Sequence, residues 1–142
     1  MLTTVLQVRT GGHQRVVDLT DECASFVAGA GGAPPDGLLN VFVPHATAGV
    51  AVLETGAGSD EDLLRALEEL LPSAGPGGGG WVHRHGSPGH GRDHVLPAIV
   101  APTTTVPVLG GRLALGTWQS ICLVDTNVDN AVREVRLSLL TG

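Results

Sequence analysis

The sequence contains no lysine and no tyrosine, and it has only two tryptophans, two phenylalanines and two cysteines in 142 residues. All eight of its basic residues are arginines. Without lysine there is no Walker A phosphate site and no Schiff-base chemistry, and without tyrosine there is no phenolic acid or base. The missing lysine leaves arginine and a metal ion as the charges that would handle a phosphate group.

Positive charge is also scarce, since the formal net charge is −6. That sign argues against a protein that binds nucleic acid by neutralising phosphates. No apolar run approaches the length needed to cross a bilayer, and the first residues lack the basic and apolar regions of a secretory signal. We therefore expect a cytoplasmic protein without nucleic-acid or membrane partners, in which Cys23 and Cys122 are buried thiols.

The rest of the composition is typical of one folded domain, which we expect to span residues 1–142. Hydrophobic residues make up 42% of the chain, enough to bury a core. Alternation and apolar runs predict strands over 3–9, 14–19, 38–43, 48–53, 104–109, 112–115, 118–125 and 133–140. Glycine pairs predict hairpins that join the first strand to the second and the fifth to the sixth. The expected class is α+β, with a mainly antiparallel sheet.

Two helices are predicted between these strands. The first begins at Thr20 as N-cap, with acidic residues in its first turn. The second covers residues 60–71, with Ser59 as N-cap and Pro72 as its stop. The four glycines at 77–80 have no lysine or hydroxyl partner for phosphate, so they predict a flexible connector.

The densest concentration of reactive side chains lies between residues 83 and 94, which hold four of the six histidines. His83 and His85 are two apart, which places both imidazoles on one side of an extended segment. The proline and glycines in this stretch argue against a helix that would align His90 with His94. Imidazole is the commonest metal ligand, so the segment predicts a metal site, with a solvated loop as the alternative.

Other polar residues carry weaker signals. His45 ends an apolar strand and Glu54 follows the next one; each is equally well explained as a structural residue or as part of a site. Asp60 fits a first-turn helix acid. The spacing of acids over residues 125–129 opens like a calcium loop, but the required glycine and final glutamate are missing, which indicates a turn.

Taken together, these motifs resemble the YjbQ-like family, some of whose members are labelled secondary thiamine-phosphate synthases. The resemblance is carried by His45-Ala46-Thr47-Ala48-Gly49 followed by Glu54, by the spacing of His83 and His94, and by Gly111-Arg112-Leu113-Ala114-Leu115-Gly116-Thr117-Trp118-Gln119. These segments occur in the family's order over nearly the whole chain.

The resemblance implies a compact α+β protomer that forms a homotrimer with sites near the subunit interfaces. It implies a pocket in which His45, His83 and His94 bind a divalent metal, zinc or magnesium, and act in catalysis together with Glu54. It also implies substrate and phosphate binding by Arg112, Thr117, Trp118 and Gln119. His85 and His90 are further candidate ligands on local chemistry alone, and Asp60 lies one residue beyond the position of a family acid.

The implied activity joins a pyrimidine diphosphate to a thiazole phosphate and releases pyrophosphate. Such a reaction needs neutralisation of the departing diphosphate, which a metal and arginine can supply. The expected function is thus that of a metal-dependent enzyme acting on a phosphorylated small molecule. Two alternatives stay open: a metal-assisted phosphate-ester hydrolase, and a non-catalytic trimer that binds a metal or metabolite.

Overall fold

Eight strands and two helices form the framework of the protein, for which a computed structural model describes residues 1–32 and 35–142. The elements are β1 (Leu2–Arg9), β2 (Arg15–Asp18), α1 (Thr20–Ala28), β3 (Gly37–Phe42), β4 (Ala48–Leu53), α2 (Ser59–Leu70), β5 (Thr103–Leu109), β6 (Arg112–Leu113), β7 (Ser120–Asp125) and β8 (Val132–Thr141). Short 3₁₀ turns lie at Pro76–Gly78, His90–Arg92 and Leu96–Ala98.

The strands form two sheets that share one core. The larger sheet has the order β1-β8-β3-β5-β6 and the smaller one β2-β7-β4, and each strand pair in the described residues is antiparallel. The predicted α+β class and its mainly antiparallel pairing are therefore confirmed. In the described part of the chain, no helix is long and apolar enough to cross a membrane.

Alternation along the strands determines what is buried. In β8, Val135, Leu137 and Leu139 are inaccessible to solvent while the residues between them face outward or are only partly covered. They pack with the inner residues of β3 and with α1, which contributes Cys23 and Val27. Both cysteines are buried free thiols, as predicted, and burial raises the pKa of each to about 12.

The predicted opening hairpin is wrong. β1 pairs with β8 in the larger sheet, whereas β2 pairs with β7 in the smaller one. The Gly11-Gly12 segment therefore carries the chain from one sheet to the other. The second predicted hairpin is confirmed, because Leu109 pairs with Arg112 across the glycine turn.

Both helices begin close to their predicted starts, with different caps. Thr20 is the first helical residue of α1, and its N–H donates to the Asp18 carboxylate at 2.9 Å. Ser59 is the first helical residue of α2, and the position before it is Gly58, whose φ of 95° is a left-handed value that glycine adopts without strain. Leu70 ends the helix, one residue before the predicted limit.

The smaller sheet has two ends that are important for the site. Ala48 of β4 pairs with Asp125 of β7 at one end, and Leu53 pairs with Ser120 at the other. We call these the Asp125 end and the Ser120 end. Five residue-to-residue steps of about 3.4 Å along β4 separate the two ends by about 17 Å.

The close approach of β4 to the segment before β5 requires glycine at position 49. A Cβ atom there would overlap the Val100 carbonyl oxygen, and the neighbouring Val50 N–H donates to the Ala101 carbonyl at 2.8 Å. We expect Gly49→Ala to lower the free energy of unfolding by about 1–3 kcal/mol, because the backbone must shift to admit the methyl group. Urea denaturation measures this change.

Gly12→Ala is the matched control, since its Cβ would meet nothing closer than the Val128 carbonyl oxygen at 3.8 Å. We expect that variant to stay within about 0.5 kcal/mol of the natural protein. Equal stability of the two variants would contradict the described contact between β4 and residue 100.

Candidate metal centre

Four imidazole rings lie together beyond the Asp125 end of the smaller sheet. The ring centroids of His83 and His85 are 3.9 Å apart, those of His83 and His94 are 4.1 Å apart, and those of His90 and His94 are 4.8 Å apart. The widest pair, His85 and His94, is separated by 5.8 Å. We call these four residues the histidine cluster.

The loop that carries the cluster is anchored to the end of α2. Arg92 is buried, and its guanidinium donates to the Glu68 carboxylate and to the Leu71 carbonyl. The indole N–H of Trp81 donates to the Pro72 carbonyl at 2.9 Å. A Cβ at position 91 would overlap the Trp81 side chain, so Gly91 lets the two halves of the loop meet.

A 3₁₀ turn aligns His90 with His94, against the expectation drawn from the local glycines and proline. Gly89 precedes the turn with a φ of 85°, so the glycine starts the turn instead of preventing it. The Nε2 atoms of His90 and His94 are consequently 2.8 Å apart. At that distance the two lone pairs repel unless a proton or a cation lies between them.

His90 is held by residues of the loop after β7. Its Nδ1 lies 2.6 Å from Asp129 Oδ2, which can only accept, and 2.9 Å from the Asn127 amide nitrogen, which can only donate. The Asn127 amide lies beside the ring, donates to Asp93 at 3.0 Å and accepts the Asp129 N–H. This arrangement orients the His90 ring and points its Nε2 toward His94.

Three of these imidazoles offer nitrogen atoms close enough for one metal ion. One ring nitrogen each from His83, His90 and His94 lies within 4.8 Å of the other two. Nε2 of His83 is buried and has no hydrogen-bond partner within residues 1–32 and 35–142. An imidazole nitrogen in that situation fits a metal ligand, because an unpaired buried polar atom is otherwise unfavourable.

The protonation state of the cluster suits metal binding. Partial burial, followed by the neighbouring imidazoles of His85 and His90, lowers the pKa of His83 below its usual range. Burial and the same crowding lower the pKa of His94. Both rings are therefore neutral at pH 7, which is the form that coordinates a metal.

His45 lies at the edge of the same site but its Nε2 is already used. That atom accepts the backbone N–H of Glu134 at 2.9 Å. Partial burial and then the charge of Arg133 lower the pKa of His45. The structure thus gathers His83 and His94 of the predicted trio with His90, and His45 borders the site.

A cavity of about 440 Å³ opens beside the histidine cluster. Three imidazoles of the cluster line it, together with His45 and the loop residues Asp129 and Asn130. Arg133 also lines it, although this side chain is 1% exposed and its Nε and Nη2 bind the buried Asp125 carboxylate at 2.7 and 2.8 Å. Sequence analysis did not single out Arg133.

The remaining predicted residues lie toward the Ser120 end of the smaller sheet. Glu54 directly follows β4 there, and Thr117 and Trp118 precede β7, with Trp118 72% exposed. Arg112 and Gln119 line a separate cavity next to α1. One chain therefore does not bring these five residues to the histidine cluster.

The sequence did not identify Asp129 and Asn127 as residues that support the histidine cluster, because they are distant from it in the chain. Asp129 and Asn127 belong to the motif that was interpreted as a turn, and their side chains do form turns: the Asn127 N–H donates to Asp125 at 3.0 Å. The acids in that loop, close behind a buried strand, were the available signal. Their position beside residue 90 depends on the tertiary fold.

Comparison with known proteins places this chain among relatives of the same length. A family model described as UPF0047 protein YjbQ-like matches residues 4–142. UPF0047 protein Rv2556c of Mycobacterium tuberculosis is 58% identical over 142 residues, all of both chains. A UPF0047 protein of Archaeoglobus fulgidus is 31% identical over 84% of this chain and 87% of its own.

Solved structures agree with this assignment. The hypothetical protein APE1520 from Aeropyrum pernix is 35% identical, with a TM-score of 0.85 and full coverage of both chains. A YbjQ-like protein of unknown function from Sulfolobus solfataricus is 24% identical with a TM-score of 0.84 over 99% of this chain and 97% of its own, and shares the fold. With whole-chain matches in both sequence and structure, the protein belongs to the UPF0047, YjbQ-like family.

Proposed function

We propose that this protein is a metal-dependent enzyme that acts on a phosphorylated small molecule. The observation that carries the proposal is the set of three ring nitrogens from His83, His90 and His94 within 4.8 Å of one another, beside an open cavity. A divalent metal bound there would supply positive charge for a developing phosphate or pyrophosphate anion.

The donor set favours zinc over magnesium. Zinc accepts imidazole nitrogens and commonly keeps one position open in catalytic sites that have three protein ligands. Magnesium prefers oxygen ligands and octahedral geometry, which three imidazoles do not supply. Asp129 supports the same choice, because a carboxylate on the far nitrogen of a ligating histidine is a common feature of zinc sites.

Thiamine-phosphate synthesis is the specific reaction we propose to assay, since it is the activity implied by the family resemblance. It joins a pyrimidine diphosphate to a thiazole phosphate, so the enzyme must hold two charged substrates. Within one chain the histidine cluster and Arg112 lie near opposite ends of the smaller sheet. We therefore propose that a homotrimer places the Ser120 end of one copy against the cluster of the next.

The exposed character of the Ser120 end supports this arrangement. Trp118 is 72% exposed, and Arg112 and Glu54 are exposed as well. Tryptophan and arginine are enriched at protein interfaces. In the trimer, Trp118, Gln119 and Thr117 would form a wall of the neighbouring cavity, and Arg112 would bind a substrate phosphate.

Phosphate-ester hydrolysis is the second candidate, favoured by one observation. The cavity of about 440 Å³ already combines two of the candidate metal ligands, His90 and His94, with the cationic side chain of Arg133 within a single chain. Hydrolysis needs only water as its second substrate. This candidate therefore does not depend on residues from the Ser120 end.

Metal binding by the cluster is the first test. We expect the natural protein to bind one zinc ion per chain, and His90→Ala to weaken binding more than Asp129→Asn does. Removal of the supporting carboxylate should cost about 10–100-fold in affinity. Competition with a chromophoric chelator measures these constants, and the visible spectrum of the cobalt-substituted protein reports the ligand geometry.

His13→Ala is the matched control, because His13 is exposed and lies by the turn after β1. It should bind zinc as the natural protein does. If His90→Ala also binds zinc with unchanged affinity and an unchanged cobalt spectrum, His90 is not a ligand.

Catalysis is tested by supplying both thiamine precursors with zinc or magnesium and measuring thiamine phosphate. We expect product with the natural protein, no product above background with His94→Ala, and loss of activity on chelation. Product formation no greater than that of His94→Ala would exclude this reaction. Phosphate release from a panel of phosphate esters, abolished by chelator, would then favour the hydrolase.

A site shared between copies predicts complementation. Trimers that contain only His94→Ala or only Arg112→Gln chains should be inactive. After dissociation and reassociation of an equal mixture, roughly a quarter of the sites would combine an intact cluster with an intact neighbour, so activity should return. Absence of recovery in mixed trimers, verified by sedimentation, would contradict a composite site.

A further inference from the structure

The cavity beside the histidine cluster is built to receive an anion within a single chain. Arg133 lines it, and the two groups that bind Asp125, Nε and Nη2, leave Nη1 as the group able to donate toward the cavity. The buried carboxylate fixes the guanidinium plane, so the remaining edge is held in place before a ligand arrives. A fixed guanidinium edge is well suited to phosphate.

The acids around this cavity are all engaged by other groups. Asp125 binds Arg133, and Asp129 binds His90 and the Ser87 N–H. Asp93 accepts from Thr126 and from Asn127. These hydrogen bonds occupy the carboxylate oxygens but leave their negative charges in place. Attraction for an anion therefore has to come from a divalent metal bound by the histidine cluster and from the guanidinium edge of Arg133.

A second, apolar groove of about 570 Å³ continues from this cavity. The two share three lining residues: His45, Ala46 and His94. The rest of the groove is formed by rigid or aromatic side chains, namely Phe42, Val43, Pro44, Pro97 and Pro102. Its walls offer no charged group, so this part of the site fits an apolar or ring-shaped portion of a ligand.

From this juxtaposition we infer that the substrate is a phosphate monoester with an apolar, ring-sized body. Its phosphate lies between the histidine cluster and Arg133, and its body lies in the groove formed by Phe42 and the three prolines. The inference rests on the proposed function and narrows its substrate class. It also assigns phosphate recognition within one chain to Arg133, whereas Arg112 lines a different cavity, next to α1.

Phosphonates that cannot be hydrolysed test this inference by binding alone. Calorimetry with the zinc-loaded full-length protein compares phenylphosphonate, methylphosphonate and benzoate. We expect phenylphosphonate to bind about tenfold more tightly than methylphosphonate, because its ring is buried in the groove. Benzoate should bind more weakly than phenylphosphonate. Equal affinities for the two phosphonates, or tighter binding of benzoate, would overturn the inferred class.

Two variants separate the two halves of the site. Phe42→Ala should bring the ratio of the two phosphonate affinities close to one without changing the affinity for methylphosphonate. Phe26→Ala, on α1, is the matched control and should change neither affinity. The double variant Asp125→Asn/Arg133→Gln, which keeps a buried hydrogen-bonded pair, should weaken both phosphonates by about tenfold or more. Arg65→Gln is the control for loss of an exposed arginine.

Unchanged zinc affinity verifies that the double variant retains the site. If that variant does not fold, Arg133→Lys replaces it, and we expect weaker binding of both phosphonates because lysine lacks the planar edge. Phosphonate affinities like those of the natural protein in either folded variant would remove Arg133 from the site. Failure of the natural protein to bind zinc would instead contradict the proposed function. The ratio of its affinities for phenylphosphonate and methylphosphonate, measured without zinc, would still test the inference.

Discussion

The buried ion pair between Asp125 and Arg133 is the constraint on which the site depends. Asp125 ends β7 in the smaller sheet and Arg133 lies in β8 of the larger one, so the pair joins the two sheets at the edge of the core. Breaking such a pair by removing one partner costs about 3–5 kcal/mol, since the other charge stays buried. The pair also fixes the ends of the loop that carries Asn127 and Asp129.

The anchored loop in turn holds the histidine cluster in place. Asp129 and Asn127 orient the His90 ring, and Arg92 ties the histidine-bearing segment to the end of α2. Four imidazoles this close together stabilise one another little, because the lone pairs and dipoles of neighbouring rings repel in a partly buried space. The fold holds them there through acids and arginines at the periphery, an arrangement that a bound cation would stabilise.

The sequence predicts the parts of this arrangement that local physics controls. Alternation located β1, an apolar run located β4, first-turn acids located α2, and the spacing of His83 and His85 placed two imidazoles side by side. Sheet pairing was only partly predicted: the β5–β6 hairpin is confirmed, but nothing within residues 3–19 indicates that β1 and β2 join different sheets. Gly89 was misinterpreted for a related reason, since a glycine can end a helix or start a turn, and its close approach to Ser73 belongs to the tertiary fold.

The separation between the two ends of the smaller sheet bears on how the site works. The family resemblance treats Glu54, Arg112 and Trp118 as partners of the histidines, yet Glu54 and Trp118 flank the Ser120 end of the six-residue strands β4 and β7, and Arg112 lines a separate cavity next to α1. Rigid strands do not bend by such distances, so a single chain cannot unite them by a loop movement. Either neighbouring copies combine them, or the chemistry uses Arg133 and the histidine cluster alone. The first arrangement makes activity depend on assembly, and the second makes it a property of the folded chain.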